Sequence, residues 1–356
     1  MTLSGRFFQP GPVEIDPVVA QAMLRPMMGH RGKEAHELVA RIQPGLQQLF
    51  GTTRPVMLAT GSSTAMIEAG VRAGVVDRAL CVVSGLFGER MADMVERCGK
   101  EAVRLHVPRG GVLELDLLEK ILDGPHFDAV TMVHSETSTG AAAPIADLLA
   151  RFRQLKDVVT IVDAVSSLGG MPIEADQWDV DFIMTGSQKA LGIPPGLTFA
   201  VASDRLLARA ADADALGFYL NVIDLHHAAV ESIFPQTPAL PVVYALEVQL
   251  ERIAREGLPA RFARHRAMRE RVERWVERHA RCRMWAPPGR RTDTVSALML
   301  APGRSSRAIV AELAVLGWQV ATGILEEEDQ VIRIGHMGDL LPEQLDPLFD
   351  MLEPRL

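Results

Sequence analysis

Short apolar runs separated by helical stretches occupy the first two thirds of the chain. Runs such as residues 79–83 (ALCVV) and 158–162 (VVTIV) lack the polar alternation of a half-exposed strand. Strands of this kind are buried on both faces, as in a mainly parallel sheet between helices. Helical patterns begin at Ser63 and Phe87. The sequence therefore predicts an α/β unit with strands at residues 55–59, 79–83, 102–106, 129–133, 158–162, 181–184 and 198–202.

The pattern changes after Pro238. Residues 242–253 and 258–279 have the spacing of long helices. Beyond them, the pattern predicts a strand at 295–300, a helix at 305–316, a strand at 331–335 and a last helix from Pro342. We therefore expect an N-terminal segment (residues 1–14), a large α/β domain (15–240) and a smaller α+β C-terminal domain (241–356).

Composition and charge narrow the function classes. The chain has 356 residues, of which 48% are hydrophobic and 23% charged, as in folded proteins with a large core. That length suits two compact units at roughly 150 residues per domain. The formal net charge of −8 disfavours a surface for nucleic acid or another polyanion. The arginine-rich run 261–283 contains interleaved glutamates, which predicts a solvated helix face.

The cysteines and the hydropathy pattern bear on the compartment. Cys81, Cys98 and Cys282 are widely spaced without a CxxC pair, which argues against a disulfide framework and structural zinc. No apolar run reaches the roughly 18 residues of a membrane span, and the first residues lack a basic and apolar signal. We expect a cytoplasmic protein with no metal site and no membrane or nucleic-acid partner.

One lysine stands out by its position. Lys189 lies in TGSQKALGIPPG (residues 185–196), directly after an apolar strand. A lysine buried there, with no carboxylate in its own tract, has a lowered pKa, which suits an amine that forms a Schiff base. An isolated loop lysine is more often solvated. Here, however, Asp163 follows the apolar strand 158–162, and ligands bind α/β sheets at this carboxyl edge.

Residues 58–64 (LATGSST) join another strand to a helix. Glycine and hydroxyl residues at a helix N-terminus are typical of a phosphate-binding turn, because backbone N–H groups and hydroxyls all donate to the anion. The tract is neither a Walker A loop nor a GxGxxG fingerprint. Ser and Thr also favour ordinary helix caps, so this tract gains weight only beside the others.

Together these tracts resemble the class V aminotransferases, a branch of the fold type I enzymes, and within it the alanine/serine–glyoxylate group. The resemblance runs from the Pro-Gly-Pro at residues 10–12 to the Arg-Ile-Gly at 333–335, and GSQKALGIPPG (186–196) is its most specific part. It implies a fold type I architecture, pyridoxal 5′-phosphate as cofactor, and a homodimer with shared active sites. The segment at 235–238 resembles the one that reaches the neighbouring subunit.

The resemblance also implies roles for single residues. Lys189 corresponds to the lysine that binds the cofactor and moves the substrate proton, and Asp163 to the carboxylate paired with the pyridine nitrogen. Arg333 corresponds to the arginine that holds the substrate carboxylate, with Gly11 also on the substrate side. The other expected cofactor contacts are Phe87 on the ring, Thr137 near the phenolic oxygen, and Ser62, Ser63, Thr64, Ser187, Gln188 and the partner-reaching Thr237 around the phosphate.

Two positions depart from the family pattern. Many relatives have Trp or Tyr where Phe87 stands, which changes the stacking partner. Many also have an aromatic hydroxyl where Phe234 stands, so this chain lacks one possible hydrogen bond to the phosphate.

The expected reaction transfers an amino group from alanine or serine to glyoxylate or pyruvate. One alternative is a phosphoserine or 2-aminoethylphosphonate aminotransferase, because Arg31 and Lys33 in GHRGK (29–33) resemble the cationic segment of the phosphoserine enzymes. Against it, no second basic cluster stands beside Arg333, where the chain continues IGHMG (334–338). A dianionic phosphate needs more than one fixed donor.

A lyase or cysteine desulfurase on the same fold is a further alternative. Such enzymes need a mobile cysteine and typically a histidine before the lysine. Here Gln188 precedes Lys189, and Cys282 lies between a helix and a strand. The presence of Lys189, Asp163 and Arg333 together also argues against a non-catalytic cofactor-binding protein.

Overall fold

The computed structural model describes residues 6–122, 126–213 and 216–356. Over these ranges the helices are α1 (Pro17–Ala22), α2 (Lys33–Phe50), α3 (Ser63–Gly74), α4 (Leu86–Arg97), α5 (Leu115–Leu122), α6 (Ile145–Phe152), α7 (Asp204–Ala211), α8 (Val222–Val230), α9 (Leu240–Glu256), α10 (Leu258–Val276), α11 (Ser306–Val315) and α12 (Leu345–Leu352). The strands are β1 (Met57–Gly61), β2 (Arg78–Val83), β3 (Glu101–His106), β4 (Ala129–Val133), β5 (Ser135–Glu136), β6 (Ala141–Ala142), β7 (Val159–Asp163), β8 (Phe182–Gly186), β9 (Gly196–Ala202), β10 (Cys282–Met284), β11 (Val295–Leu300), β12 (Ala321–Thr322) and β13 (Val331–Gly335). Short 3₁₀ helices lie at Leu325–Glu327, Pro342–Gln344 and Glu353–Arg355.

A mixed sheet forms the centre of the larger part. Its strand order, over the described residues, is β1-β9-β8-β7-β4-β2-β3. β9 runs antiparallel to β1 and β8, and the other neighbouring pairs are parallel. The predicted α/β unit with a mainly parallel sheet is therefore confirmed.

Both faces of this sheet are covered. Leu80 and Val162 pack on one face in a core that includes residues of α2, α6 and α9. Their neighbours Cys81 and Ile161 pack on the other face with residues of α3, α4, α7 and α8. Successive side chains of a strand alternate between faces, so a strand buried on both sides must be apolar throughout.

A smaller antiparallel sheet, with the order β10-β11-β13-β12, packs against α10, α11 and α12. Phe8 belongs to the same core. Its backbone N–H donates to the Gln319 carbonyl and its own carbonyl accepts from Gly335, each at 2.7 Å. A Cβ added at Gly335 would lie 2.7 Å from Pro10 Cα, so the segment after Phe8 passes directly against the end of β13.

Two details differ from the expectations. The last helix begins with the 3₁₀ turn Pro342–Gln344 before α12. The interpretation of residues 261–283 as a solvated face is wrong for Arg261, whose side chain is 1% exposed because α10 packs it against buried partners. Among the helices of the described ranges, none is both long and apolar enough to cross a membrane.

Candidate active site

The predicted site residues converge on the carboxyl edge of the parallel strands. Asp163 ends β7, Thr137 follows β4 through the short strand β5, and Lys189 lies three residues beyond β8. Loops at this edge of a parallel sheet meet each other, which is why ligands bind there. The edge is closed from the other side by Arg333 of β13 and by the segment containing Gly11.

Lys189 is buried against the N-terminal segment. Lys189 is 8% exposed, and its Nζ donates to the Pro10 carbonyl. A Cβ at Gly11 would lie within 2.8 Å of Nζ, and Gly11 has φ +102°, so both space and backbone favour glycine there. Burial, with a further contribution from Arg333, lowers the pKa of Lys189 to about 8. The amine is therefore much easier to deprotonate than an exposed lysine.

Asp163 is a buried carboxylate with one free oxygen. Its Oδ1 accepts from the Val165 backbone N–H at 2.7 Å, and no other described residue hydrogen-bonds to its side chain. Burial raises the pKa of Asp163 to about 6, with Glu136 adding to the effect and Lys189 opposing it. A cationic N–H partner at the free oxygen would offset the desolvation of the carboxylate.

A second buried carboxylate, Glu136, was missed at the level of the sequence. It accepts from the backbone N–H groups of Phe87 (3.1 Å) and Gly88 (3.3 Å) at the start of α4, and from the Ser138 N–H (3.1 Å). Burial raises the pKa of Glu136 even though these donors lower it. The signal was an acid in a tract of small polar residues directly after an apolar strand. Glu136 thereby caps the helix that carries Phe87.

Phe87 is half-buried at the beginning of α4. The Arg90 guanidinium, one helical turn further on, lies 5.1 Å from the centroid of the Phe87 ring. The Glu136 hydrogen bond holds the Phe87 backbone, and the Arg90 guanidinium makes a cation–π contact with its ring.

Arg333 and Thr137 are joined directly. Arg333 Nη1 donates to the Thr137 carbonyl at 3.3 Å, and Nε donates to the Thr322 carbonyl at 2.8 Å. No described residue accepts from Nη2, so this edge of the guanidinium is available to a ligand. Burial lowers the pKa of Arg333 to about 10, which leaves it charged at neutral pH. The Thr137 hydroxyl lies 2.5 Å from the Ser166 hydroxyl.

The predicted phosphate turn lies at the N-terminus of α3. Ser62 is the N-cap residue, yet its hydroxyl makes no capping hydrogen bond, and Ser62 and Thr64 are exposed. Ser63 is buried and accepts from Gln188 Nε2 at 3.3 Å, which connects this turn to the Lys189 loop. Uncapped N–H groups and free hydroxyls at a helix N-terminus suit an anion.

The structure also describes the surroundings of two further predicted phosphate contacts, Ser187 and Thr237. The Ser187 hydroxyl donates to the Pro194 carbonyl (2.6 Å) and accepts from the Leu197 N–H (3.2 Å), so the structure does not direct it to this turn. Thr237 is exposed, and Ala239 beside it donates to the Thr60 hydroxyl at 2.9 Å, close to Ser62. The roles of both residues remain predictions.

Comparison with known proteins identifies the family. Residues 20–323 match the family model described as aminotransferase class-V. The chain is 34% identical to an uncharacterized aminotransferase of Methanocaldococcus jannaschii, with 92% of this chain and 86% of that protein covered. It is 29% identical to the L-aspartate–glyoxylate aminotransferase of Paracoccus denitrificans, with 96% and 88% covered. An alanine–glyoxylate aminotransferase from Nostoc sp. superimposes with a TM-score of 0.93 at 30% identity, covering 98% of this chain and 94% of that one.

The chain therefore belongs to the class V aminotransferases. It is a transaminase of fold type I, and its cofactor is pyridoxal 5′-phosphate. The residues at the site fit this group. The buried lysine with a lowered pKa suits the aldehyde of the cofactor, and the buried carboxylate with a free oxygen suits its ring nitrogen. The uncapped helix N-terminus suits its phosphate.

Proposed function

We propose that this enzyme transfers an amino group from a small uncharged amino acid, alanine or serine, to glyoxylate or pyruvate. The observation that carries the proposal is the free edge of Arg333 beside Lys189, next to a cleft whose basic side chains already contact glutamates. Support for the acceptor comes from the names of two similar proteins, both of which are glyoxylate aminotransferases.

In this proposal the cofactor, when bound, accepts the electrons of the bond broken at the substrate Cα. Lys189 would hold it covalently. The Lys189 amine, whose pKa of about 8 suits a base near neutral pH, would also move the proton of the substrate Cα. Asp163 would pair with the ring nitrogen, and Phe87 would lie against the ring.

The remaining assigned residues hold the ends of the two molecules. Thr137 would contact the phenolic oxygen, and Arg333 would bind the substrate carboxylate through its free edge, with Gly11 leaving room beside Lys189. The phosphate contacts assigned in this proposal are Ser62, Ser63, Thr64, Gln188 and, from the neighbouring subunit, Thr237. The predicted contact of Ser187 receives no support, because its hydroxyl donates to the Pro194 carbonyl.

The preference for an uncharged donor follows from the cleft beside Arg333. Arg333 donates to the Thr137 and Thr322 carbonyls. Ser138, directly after Thr137, and Ile324, two residues after Thr322, line the cleft. Its basic side chains, Arg109 and His106, contact Glu327 and Glu89 respectively, the latter pair at 2.5 Å. A distal carboxylate or phosphate would find no unpaired cation among the described residues of the cleft lining.

The alternatives receive less support from the site. Arg31 and Lys33 are exposed, and Lys33 lies 3.6 Å from Glu37, so we assign Arg31 to the entrance and not to a phosphate subsite. Burial raises the pKa of Cys282 to about 11, which disfavours the thiolate that a desulfurase requires.

We also propose a homodimer with shared active sites. Thr237 is exposed near the phosphate turn of its own subunit, and Phe218, 88% exposed, lies on the neighbouring segment. The Tyr219 hydroxyl and Ala239 both bond to Thr60 at 2.9 Å, which places this segment against the start of the turn. The segment thus packs beside its own turn and still exposes Thr237 and Phe218. A two-fold axis next to it would bring each segment close to the turn of the other subunit.

Steady-state kinetics test the substrate assignment. Alanine, serine, aspartate, phosphoserine and 2-aminoethylphosphonate are compared as donors, with glyoxylate and pyruvate as acceptors. We expect kcat/KM for alanine or serine to exceed that for each charged donor. A preference for phosphoserine or 2-aminoethylphosphonate that is lost in Arg31→Ala would establish the phosphate alternative instead, and a preference for aspartate would contradict the account of the cleft.

A further inference from the structure

We propose that Arg261 is a positioning residue that fixes the Lys189 loop relative to the Asp163 loop and to the segment after Arg333. The inference rests on the proposed roles of those three residues. Arg261 itself lies behind the site, in the first turn of α10, and contacts none of their side chains.

A single guanidinium joins three segments of the site and also bonds to Glu256 at the end of α9. Nη2 of Arg261 donates to the carbonyl of Ala190, the residue after Lys189, at 2.7 Å, and Nε donates to the Gly169 carbonyl at 2.8 Å. Nη1 donates to Asp339 Oδ1 and to Glu256 Oε2, each at 3.0 Å. The planar fork of arginine can bond in several directions at once, which one ammonium group on a flexible stem does less well.

Each of these segments carries a group of the site. Gly169 closes the loop that begins at Asp163 and contains Ser166, the hydroxyl partner of Thr137. Asp339 follows β13, the strand of Arg333. The guanidinium therefore connects the carboxylate, the amine and the substrate-binding arginine through their backbones.

The two loops pack so closely that small movements matter. A Cβ at Gly169 would lie 3.3 Å from the Ala190 carbonyl carbon, and Gly169 has φ +84°. The Ala190 carbonyl accepts from Arg261, so this hydrogen bond helps to set the orientation of the peptide group that follows Ala190, one residue beyond Lys189. A shift of about 1 Å at a reacting group, caused from a distance, can reduce the rate on the order of 100-fold.

The charge of Arg261 is balanced within the network. Burial alone would raise the pKa of Asp339, but Arg261, followed by Gln249 and Arg252, lowers it below its usual value. Loss of Arg261 would remove one partner from each of Asp339 and Glu256 and would leave the Ala190 and Gly169 carbonyls without this donor, so it would reduce stability. A test must therefore separate positioning from stability.

Arg264 provides the matched control. It lies one turn along the same helix and donates to Glu256 at 2.6 Å and to the carbonyls of Gly338 (3.1 Å) and Leu340 (2.5 Å). It shares Glu256 and the segment after Arg333 with Arg261 but hydrogen-bonds to neither the Lys189 loop nor the Asp163 loop, so the comparison isolates the bonds to these two loops. Arg261→Gln and Arg264→Gln each remove a mostly buried guanidinium from Glu256. Arg261→Lys keeps the positive charge but loses the fork.

The experiment compares the cofactor-loaded parent and these variants. We expect Arg261→Gln to lower kcat for alanine about 100-fold with KM changed less than about threefold. The pH midpoint and the circular dichroism of the lysine-bound cofactor absorbance should also change. Arg264→Gln should lose comparable thermal stability but keep the parent's midpoint, dichroism and kcat. If Arg261→Gln does not fold, Arg261→Lys carries the test, with near-parental stability and kcat at least about tenfold lower.

Equal spectra and kcat in Arg261→Gln and Arg264→Gln would overturn the proposal, as would full activity in Arg261→Lys, because charge alone would then suffice. Failure of the proposed function gives a different result. In that case the parent protein itself would form no adduct at Lys189 or would not transaminate alanine.

Discussion

Substitution of Asp163 by asparagine should stabilise the cofactor-free protein and impair the cofactor-loaded enzyme. The carboxylate is buried, and burial raises its pKa from 3.8 to about 6. This difference of about two pH units corresponds to on the order of 3 kcal/mol, at about 1.4 kcal/mol per unit. Asparagine keeps an oxygen for the Val165 N–H but carries no charge to desolvate.

The sign of the pH dependence follows from linkage. Because the folded-state pKa is raised, the folded protein binds more protons than the unfolded chain between about pH 4 and pH 6. The contribution of Asp163 to stability is fully present below pH 4 and is lost as the pH rises through about 6. The stability gain of Asp163→Asn should therefore be near zero at about pH 4 and approach about 3 kcal/mol above pH 7.

Urea unfolding of both cofactor-free proteins across this pH range measures the gain. With the cofactor bound, Asp163→Asn should instead perform worse than the parent. It should bind the cofactor more weakly and transaminate more slowly, because the amide cannot hold the ring nitrogen protonated. A variant less stable than the parent at pH 7.5 in the cofactor-free state would refute the assignment of a desolvated carboxylate. Unchanged turnover would refute its pairing with the cofactor.

Three further predictions concern other parts of the site. Arg333→Lys should lower kcat/KM for alanine about 100-fold, because one ammonium group replaces a two-pronged donor, whereas the exposed Arg304→Lys should have no effect. Gly11→Ala should raise the cofactor Kd about tenfold or more, because a Cβ there would overlap Lys189 and the residue has φ +102°. Gly99→Ala is the control, because Gly99 has φ +78° but open space around it. An equal change in Kd in the two variants would contradict the role of the contact with Lys189. Light scattering should show a dimer, and an active monomer would exclude the shared site assigned to Thr237.

The local sequence pattern was sufficient to predict the strands and the functional residues that come directly after an apolar strand. β11 and β13 have their predicted bounds, and Lys189 and Asp163 were recognisable because each follows a strand with no polar alternation. These features depend on residues close together in the sequence, where periodicity carries the information.

Features that depend on distant contacts were not recognisable. Arg261 has the same appearance in the sequence as the exposed Arg266 and Arg274, and its partner Asp339 is 78 positions away. Glu136 caps a helix that begins 50 residues earlier in the chain. For Ser187 the residue type was compatible with a phosphate contact, but composition cannot indicate that its hydroxyl turns to the Pro194 carbonyl.

The most direct test of the central assignment is to identify the lysine that binds the cofactor. The protein loaded with pyridoxal 5′-phosphate is reduced with borohydride and digested, and the modified peptide is mapped by mass spectrometry. The other lysines of the chain, Lys33, Lys100, Lys120 and Lys156, give distinguishable peptides. The account predicts stoichiometric labelling at Lys189, abolished by Lys189→Ala together with alanine–glyoxylate turnover. Labelling at one of the other lysines, or parental turnover by Lys189→Ala, would contradict it.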